Sequence, residues 1–228
     1  PTFQSVRLRV NPDSTRYSGS VRVDLEVRRA TPSVALHARD QDLDQITLTQ
    51  NGAAIAVQQA RGDRGRLTLT AARPLAVGKA TLEIRFRQAF NTKAVALYRM
   101  EKDGIAYAFS QFEAEEAREA FPCWDEPSFK FPYQFTLEVP EGQQAVFNTP
   151  VERETSANGW KTVVFKRTPP MPSYLLAIAT GPLEFTPIPG LKIPTRVVSI
   201  RGPGHLPAAA VDWMPRQPVS IGPRLIVV

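Results

Sequence analysis

A dense group of polar and acidic residues between Ser110 and Pro127 is the part of this sequence best equipped for chemistry. Its members carry amide or carboxylate side chains: Gln111, Glu113, Glu115, Glu116, Glu119, Asp125 and Glu126. A carboxylate on a rigid frame can bind an ammonium group or act as a general acid or base. A solvated helical face closed by a turn explains the same residues, and composition alone favours that interpretation because charged side chains are mostly exposed.

The acidic group lies on a segment that is predicted to be helical and is set between strands. Residues 114–120 contain only Ala, Glu and Arg, which favour helix, and Glu115 and Arg118 are spaced one turn apart. Residues 121–127, with the sequence FPCWDEP, then restart extended chain, because residues before proline disfavour helical backbone. The segment therefore has the order strand, irregular loop, one or two helical turns, strand. This order predicts that a rigid frame holds the irregular loop in place.

The same stretch resembles the amino-terminal domain of the M1 family of zinc aminopeptidases. The resemblance is carried by Gln111-Phe112-Glu113-Ala114, by Ala117-Arg118 and by Ala-Phe-Pro-Cys-Trp-Asp-Glu-Pro-Ser-Phe-Lys at 120–130. It implies that Glu113 binds the free α-amino group of a peptide substrate and that Gln111 helps to line the pocket for its first side chain. It also implies a cis peptide bond between Glu113 and Ala114, with Glu113 unpaired and open, although non-proline bonds are almost always trans.

Length and composition set limits on the protein class. The 228 residues suffice for one large all-β domain or two small ones. No apolar run approaches the length of a membrane span and the start does not resemble a secretion signal, so we expect a cytoplasmic protein with no membrane partner. The single Cys123 excludes an internal disulfide framework. We expect it to pack as a small apolar residue, with a reactive thiol as the less favoured alternative.

The net charge of +6 is compatible with nucleic-acid binding, but the distribution of the arginines argues against it. No zinc-finger spacing or aromatic RNA-binding signature accompanies them. They are scattered at the outward positions of alternating strands: Arg7, Arg9, Arg22, Arg28, Arg61, Arg66, Arg85 and Arg87. We therefore predict no nucleic-acid partner.

Alternation of apolar and polar residues with period two dominates the sequence and indicates β-strands. Turn signals such as Asn51-Gly52 separate the runs. The predicted strands are 6–10, 21–27, 33–36, 45–49, 53–58, 66–70, 80–86, 97–99, 104–109, 133–139, 144–148, 160–166, 171–181 and 193–200. The sequence therefore predicts an all-β fold, an antiparallel multi-sheet sandwich with one short helix. The resemblance implies the saddle-like form of the M1 amino-terminal domain.

Other segments extend the resemblance over the chain, from about Val6 to about Pro215. Tyr17-Ser18-Gly19 and Leu36-His37-Ala38 resemble the opening of the same domain. At 96–98 the family has Gly-Leu-Tyr and this chain has Ala-Leu-Tyr, so Ala96 would be strained if the turn requires a positive φ. Residues 171–181 match the strand that ends the domain core, and their nearly continuous apolar run predicts a strand buried on both faces.

The zinc motif of the M1 family is not present in this sequence. Relatives continue into Gly-Ala-Met-Glu-Asn, then His-Glu-x-x-His and a further Glu, which supply the zinc ligands, the general base and a second glutamate for the amine. The two histidines here lack the i,i+4 spacing; we interpret His37 as a structural residue at a strand end and His205 as a surface residue. We expect no cofactor in this chain, zinc in a catalytic domain outside it, and no activity of the chain alone.

These observations predict a substrate-recognition domain of an M1-like aminopeptidase, which removes amino-terminal residues from peptides. The predicted boundaries are 1–200 for the β domain and 201–228 for a divergent or truncated tail. The expected partners are a peptide amino terminus and the catalytic domain or chain of an M1-like peptidase, with a homodimer through an exposed apolar patch or strand edges as a further expectation. The alternative is a stand-alone β-sandwich module that binds a protein or peptide without catalysis.

Overall fold

The structure, a computed structural model, describes residues 1–189, 195–202 and 225–227. These residues form β-strands with one turn of α-helix, α1 (Ala117–Ala120), and two short 3-10 turns at Asp63–Gly65 and Ser173–Leu175. The strands are β1 Phe3–Arg9, β2 Arg16–Val27, β3 Thr31–His37, β4 Asp42–Gln50, β5 Ala53–Ile55, β6 Val57–Arg61, β7 Arg66–Leu75, β8 Gly78–Ala89, β9 Ala96–Lys102, β10 Ile105–Gln111, β11 Tyr133–Pro140, β12 Gln144–Phe147, β13 Val151–Ala157, β14 Trp160–Phe165, β15 Ile178–Gly181, β16 Glu184–Ile188, β17 Thr195–Ser199 and β18 Leu225–Val227.

The described strands form four sheets. The largest has eight strands in the order β13-β14-β11-β1-β2-β8-β4-β5, and the others are β12-β15-β10-β9, β3-β7-β6 and β16-β17-β18. Neighbouring strands are antiparallel except for β1 with β11 and β17 with β18. The all-β, multi-sheet prediction with one short helix is therefore confirmed, and the two parallel pairs are additions that the sequence did not predict.

The hydrophobic core follows directly from the alternation in the sequence. On β1 and β2, Val6, Leu8, Val21 and Val23 are fully buried, while the intervening residues face outwards. One continuous core joins the inner face of the eight-stranded sheet to the β3-β7-β6 sheet and to one side of the β12-β15-β10-β9 sheet. A second, smaller core lies on the other side of that four-stranded sheet, against β17. The sheets thus stack in layers, with one face of the largest left open.

Some predicted strands differ from the observed ones. The run 53–58 is divided at Ala56 between β5 and β6, which belong to different sheets. In 171–181 the prediction of one continuous strand is wrong: only Ile178–Gly181 is a strand, because Pro172 cannot donate to a ladder and Ser173–Leu175 form a 3-10 turn. Strands β13, β16 and β18 were not predicted.

Two further expectations concern single features of the chain. Ala96 is buried and has a φ of 56°, so the left-handed conformation that glycine favours is adopted here by alanine.

None of the helices in the described residues is long and apolar enough to cross a bilayer. The domain boundary at residue 200 stays a prediction; of the predicted tail, 201–202 and β18 are described, and β18 pairs with β17.

Candidate functional site

Two buried aromatic rings anchor the loop that joins β10 to α1. Phe112 directly follows β10 and Phe121 directly follows α1; both side chains are almost completely buried. Their rings meet edge to face with 5.9 Å between centroids. Aromatic pairs in this geometry add to the stability that burial itself provides. Residues 113–116 are therefore held at the surface by an anchor on each side.

Glu113 lies exposed at the start of this loop. Its carboxylate forms no hydrogen bond or ion pair with any residue in the described part of the chain. The peptide bond between Glu113 and Ala114 is cis, which confirms the prediction. The predicted open, unpaired state of Glu113 is likewise confirmed for the residues that the structure describes.

Gln111, the second predicted site residue, lies beside Glu113 and acts on its backbone. The backbone N–H of Glu113 donates a hydrogen bond of 3.1 Å to the side-chain Oε1 of Gln111. This contact fixes the amide group with its Nε2 donor free of any partner among the described residues. The two predicted residues are therefore adjacent and coupled, while the predicted role of Gln111 in a side-chain pocket stays a prediction.

Asp125, which the sequence places in the same acidic group, is a buried structural residue. Its Oδ2 accepts hydrogen bonds of 3.0 Å from both the backbone N–H and the Nε of Arg118, and its Oδ1 accepts one from the Ser173 hydroxyl. The Arg118 guanidinium also donates to the backbone carbonyls of Asp125 at 2.6 Å and of Arg64 at 3.0 Å. The network ties α1 to the chain that follows it and to the 3-10 turn before β7.

Two further glutamates of the group are neutralised by arginines that are distant in sequence and lie outside the strands, Arg64 in the 3-10 turn before β7 and Arg39 after β3. Both carboxylate oxygens of Glu115 accept hydrogen bonds of 2.6 Å from Arg64, which holds the pKa of Glu115 below its usual value. Arg118 lies 3.2 Å from Glu115, which confirms the predicted pair one turn apart. Arg39 pairs with Glu119 at 2.6 Å. These acids hold the loop in place and are not free to bind a cationic ligand.

The remaining acids of the group have weaker contacts. Glu116 accepts a hydrogen bond of 2.9 Å from the backbone N–H of Glu115, and Glu126 lies 3.9 Å from Nε2 of His37. Within residues 1–189, 195–202 and 225–227, the carboxylate of Glu113 has neither a hydrogen-bond donor nor a cation beside it, and Glu126 has only His37, whose Nε2 is beyond hydrogen-bond distance.

An open cleft of about 730 Å³ begins next to Glu113, at Ala114. The glutamates Glu116 and Glu126 and the arginines Arg64 and Arg66 are among the residues that line it. Its walls carry both charge signs, so it can accept the polar backbone of an extended peptide as well as charged side chains.

The residues described do not fit a zinc ion. Throughout the described ranges, no three or more His, Cys, Asp or Glu side chains are grouped as metal ligands. Nδ1 of His37 accepts a 3.3 Å hydrogen bond from the Asp125 backbone N–H, and burial lowers the pKa of His37, with a smaller effect of Arg118. His37 ends β3, as predicted for a structural histidine, and His205 lies outside the described residues.

Cys123 is the other residue type that could do chemistry, and it is fully buried. Burial raises the pKa of its thiol well above the usual value. Its backbone exchanges hydrogen bonds with His37, at 2.8 and 3.0 Å. The prediction that Cys123 packs as a small apolar residue is confirmed, and the reactive-thiol alternative is wrong.

The long-range contacts that hold the loop in place were not predicted from the sequence. Arg64 and Ser173 are 54 and 48 residues from their partners Arg118 and Asp125, and no local pattern links them. The one local signal was the spacing of Glu115 and Arg118, which predicted their pair but not the contacts of Arg118 with Arg64 and Asp125.

Comparison with known proteins agrees with the geometry. The family model of the Peptidase M1 N-terminal domain matches residues 1–175. The chain is 34% identical over 194 residues to aminopeptidase M1-D of Oryza sativa subsp. japonica, covering 81% of this chain and 22% of that protein. It is 34% identical over 195 residues to the puromycin-sensitive aminopeptidase of Caenorhabditis elegans (81% and 21%), and 38% identical over 120 residues to the leucyl aminopeptidase of Saccharolobus solfataricus (52% and 15%). The chain spans about a fifth of the length of the first two relatives, at 22% and 21%.

Proposed function

Because this chain belongs to the M1 peptidase family, whose N-terminal domain it carries, we propose that it is the substrate-recognition domain of a zinc aminopeptidase. In this proposal Glu113 binds the free α-amino group of a peptide. The observation that supports it is the carboxylate of Glu113, which is exposed, anchored by its neighbours and without a counter-ion in the described part of the chain.

The chemistry of this role is electrostatic positioning. An ammonium group forms short, charge-assisted hydrogen bonds with a carboxylate, and these are about twice as strong as neutral ones. A peptide held by its amino group presents its first peptide bond at a fixed distance from Glu113, and such positioning lowers the barrier for the chemical step. A peptide whose amino group is acetylated has no charge at this point and would leave the carboxylate unpaired.

Gln111 has a positioning role in the same proposal. Its Oε1 holds the backbone of Glu113, so the amide plane is fixed and Nε2 is available to donate to a carbonyl oxygen of the first substrate residue. The contact also explains why an amide is suited to this position: an acid at 111 would place a second negative charge beside Glu113.

The zinc of such an enzyme would supply the activated water for hydrolysis. The described residues do not fit a zinc ion, so we assign no step through it to this chain. We propose that the ion is held by a catalytic domain or chain that meets this domain at the loop, and that this chain alone has no aminopeptidase activity.

Two measurements test the role of Glu113. In the first, amide chemical shifts of the chain are followed by NMR during titration with an unblocked dipeptide amide and with its N-acetyl derivative. We expect shifts at Glu113 and Ala114 with the unblocked peptide only, because only that peptide carries the ammonium group. Loss of these shifts in Glu113→Gln is expected, whereas Glu141→Gln, an exposed glutamate with no side-chain partner in the described residues, should behave as the unchanged chain.

The second measurement adds a zinc-bearing M1 catalytic portion that lacks its own N-terminal domain and follows hydrolysis of a fluorogenic amino-acid amide. We expect the chain to raise the rate, and Glu113→Gln to lower kcat/KM by about 10- to 100-fold, the effect of one charge-assisted hydrogen bond. Equal rates with Glu113→Gln and Glu141→Gln would contradict the proposal. Binding of free and acetylated peptides with equal affinity would favour the alternative, a binding module without catalysis.

A further inference from the structure

The outer face of the eight-stranded sheet alternates long arginines with small hydroxyl residues. One cross-strand row runs through Thr136, Arg7, Ser20, Arg85 and Gln45, on β11, β1, β2, β8 and β4. The next row places Ser5 beside Arg22. Because side chains in such rows share one face of the sheet, each small residue is a depression with arginines around it.

Ser20 lies at the centre of this arrangement. Arg7 and Arg85 are its direct neighbours on the two adjacent strands, so their backbones are about 10 Å apart across Ser20. Arg22 lies two residues further along the same strand, about 7 Å away on the same face. A pocket of about 350 Å³ is found here, and its floor is backbone, because the side chains of Val21 and its neighbours point into the core.

The arginines around the pocket differ in how they are paired. Arg7 contacts Glu138, and Arg22 donates to Glu83 at 3.0 Å, in pairs whose arginines are about half exposed. Arg85 is exposed and has no hydrogen bond, ion pair or ring contact with any residue in the described part of the chain. The pair of Arg22 with Glu83 is exposed, and such pairs contribute little stability, so Arg22 can turn towards a ligand at small cost. Glu138 is only 12% exposed, but it keeps Arg9 at 3.6 Å if Arg7 turns away, and Arg85 loses no partner at all.

The hydroxyl groups of this pocket are also unused. The Ser20 and Ser5 side chains form no hydrogen bond with the described residues, although both are half-buried beside the arginines. The Ser20 hydroxyl and the guanidinium groups around it are donors of the kind that bind a phosphoryl oxyanion. Of the nearest carboxylates, Glu83 lines the pocket and pairs with Arg22, and Glu138 pairs with Arg7. Negative charges this close favour a small ligand over an extended polyanion.

We propose that this pocket binds the phosphate group of a small soluble compound. Arg85 and the hydroxyl of Ser20 are the primary ligands, and Arg7 and Arg22 close on the anion from either side. The proposal does not depend on the role of Glu113, because the pocket lies on the open face of the eight-stranded sheet, and that loop belongs to the end of β10 in another sheet.

Calorimetric titration of the full chain with inorganic phosphate and pyrophosphate, at constant ionic strength, tests the proposal. We expect pyrophosphate to bind and chloride not to compete with it. Arg85→Gln should weaken the affinity for pyrophosphate by about 10-fold or more, because a charge-assisted hydrogen bond is lost. Ser20→Asp should abolish binding without removing any arginine. Arg73→Gln, an exposed arginine on β7 in another sheet with no partner in the described residues, should leave the affinity unchanged.

Three outcomes would overturn the inference. The first is no binding of phosphate or pyrophosphate at ligand concentrations on the order of 10 mM. The second is an equal loss in Arg73→Gln and Arg85→Gln, which would mean general attraction by the positive net charge. The third is binding of a short oligonucleotide without binding of pyrophosphate, which would indicate a nucleic-acid surface in place of a small-anion site.

Discussion

Replacing Asp125 with alanine is expected to lower the free energy of unfolding by about 3–5 kcal/mol, the cost of removing one partner of a buried ion pair. The side chains of Asp125 and Arg118 are only 1% and 4% exposed. In the variant the Arg118 guanidinium keeps its bonds to two backbone carbonyls and its contact with Glu115 but loses the buried carboxylate. Its positive charge would then remain buried with only partial compensation.

The matched control is Asp44→Ala, which removes the partner of Arg87 from a pair with similar separation. That pair is 2.7 Å long with side chains 41% and 61% exposed, so we expect a change of about 0–1 kcal/mol. Ser173→Ala, which removes one hydrogen-bond donor to the buried Asp125 carboxylate, should cost about 1.5–3 kcal/mol. Urea denaturation followed by tryptophan fluorescence, analysed by linear extrapolation, measures all three differences.

The buried pair of Asp125 and Arg118 has a further testable consequence. If the large effect comes from the uncompensated charge of Arg118, then replacing Arg118 by methionine in the Asp125→Ala background should restore part of the loss. A change below about 1 kcal/mol in Asp125→Ala, equal to that of Asp44→Ala, would refute the assignment of Asp125 as a buried structural residue.

Three other substitutions or measurements test single features of the fold. Gly19→Ala should lower the unfolding free energy by about 1–3 kcal/mol in the same urea assay, because a Cβ there would lie 2.7 Å from the carbonyl of Arg7 and 2.8 Å from the Phe86 ring; an unchanged midpoint would contradict this packing. Cys123 should not react with a thiol reagent such as DTNB in the native protein and should react fully in urea, because its thiol is buried and its pKa is raised; rapid native reaction would contradict it. Because burial lowers the pKa of His37, the unfolded chain binds more protons than the folded chain between the folded pKa and pH 6.5. The contribution of neutral His37 to the free energy of unfolding is therefore complete above pH 6.5 and is lost as the pH falls through the folded pKa. His37→Asn should therefore flatten the fall in stability between about pH 7 and 5; an unchanged slope would mean that Asp125 and Glu126, which raise this pKa, outweigh burial.

The strands that the sequence predicted well are those with one buried and one exposed face. In β2 from residue 21 to 27 and in β8 from residue 80 to 86 buried positions alternate without a break, and the structure pairs the two strands over their whole length. Strand β13 was missed because all seven of its residues are exposed, so no burial pattern marks it. The run at 171–181 was misjudged for the opposite reason: its apolar residues are needed for the core, but Pro172 and a 3-10 turn interrupt the ladder.

Pairing between distant strands lies beyond local patterns. The parallel contact of β1 with β11 joins Val6 to Phe135 across most of the domain, and neither strand carries a signal for the other. The alternation determines which face each strand buries, but the order of strands in the sheet depends on the whole chain. The division of 53–58 between two sheets has the same origin.

The site shows a similar division between residue type and tertiary context. A family resemblance identified Gln111 and Glu113, but it did not distinguish Glu113 from the other carboxylates of the acidic group on physical grounds. That distinction depends on which carboxylates are reached by arginines from segments that are distant in sequence. Only the folded structure shows that Asp125 is buried with Arg118 and that Glu115 is held by Arg64.

The distribution of these arginines accounts for both the rigidity of the loop and the availability of Glu113. Arg39, Arg64 and Arg118 each contact a carboxylate of the acidic group other than Glu113. Three arginines thereby hold the loop in place. Glu113 stays solvated, and an unpaired charge in contact with water costs little free energy. A ligand ammonium group that reaches Glu113 then displaces only water and breaks no internal ion pair, so the attraction is not offset by the loss of an existing contact. Moving one arginine into reach of Glu113 would remove this property without changing the fold.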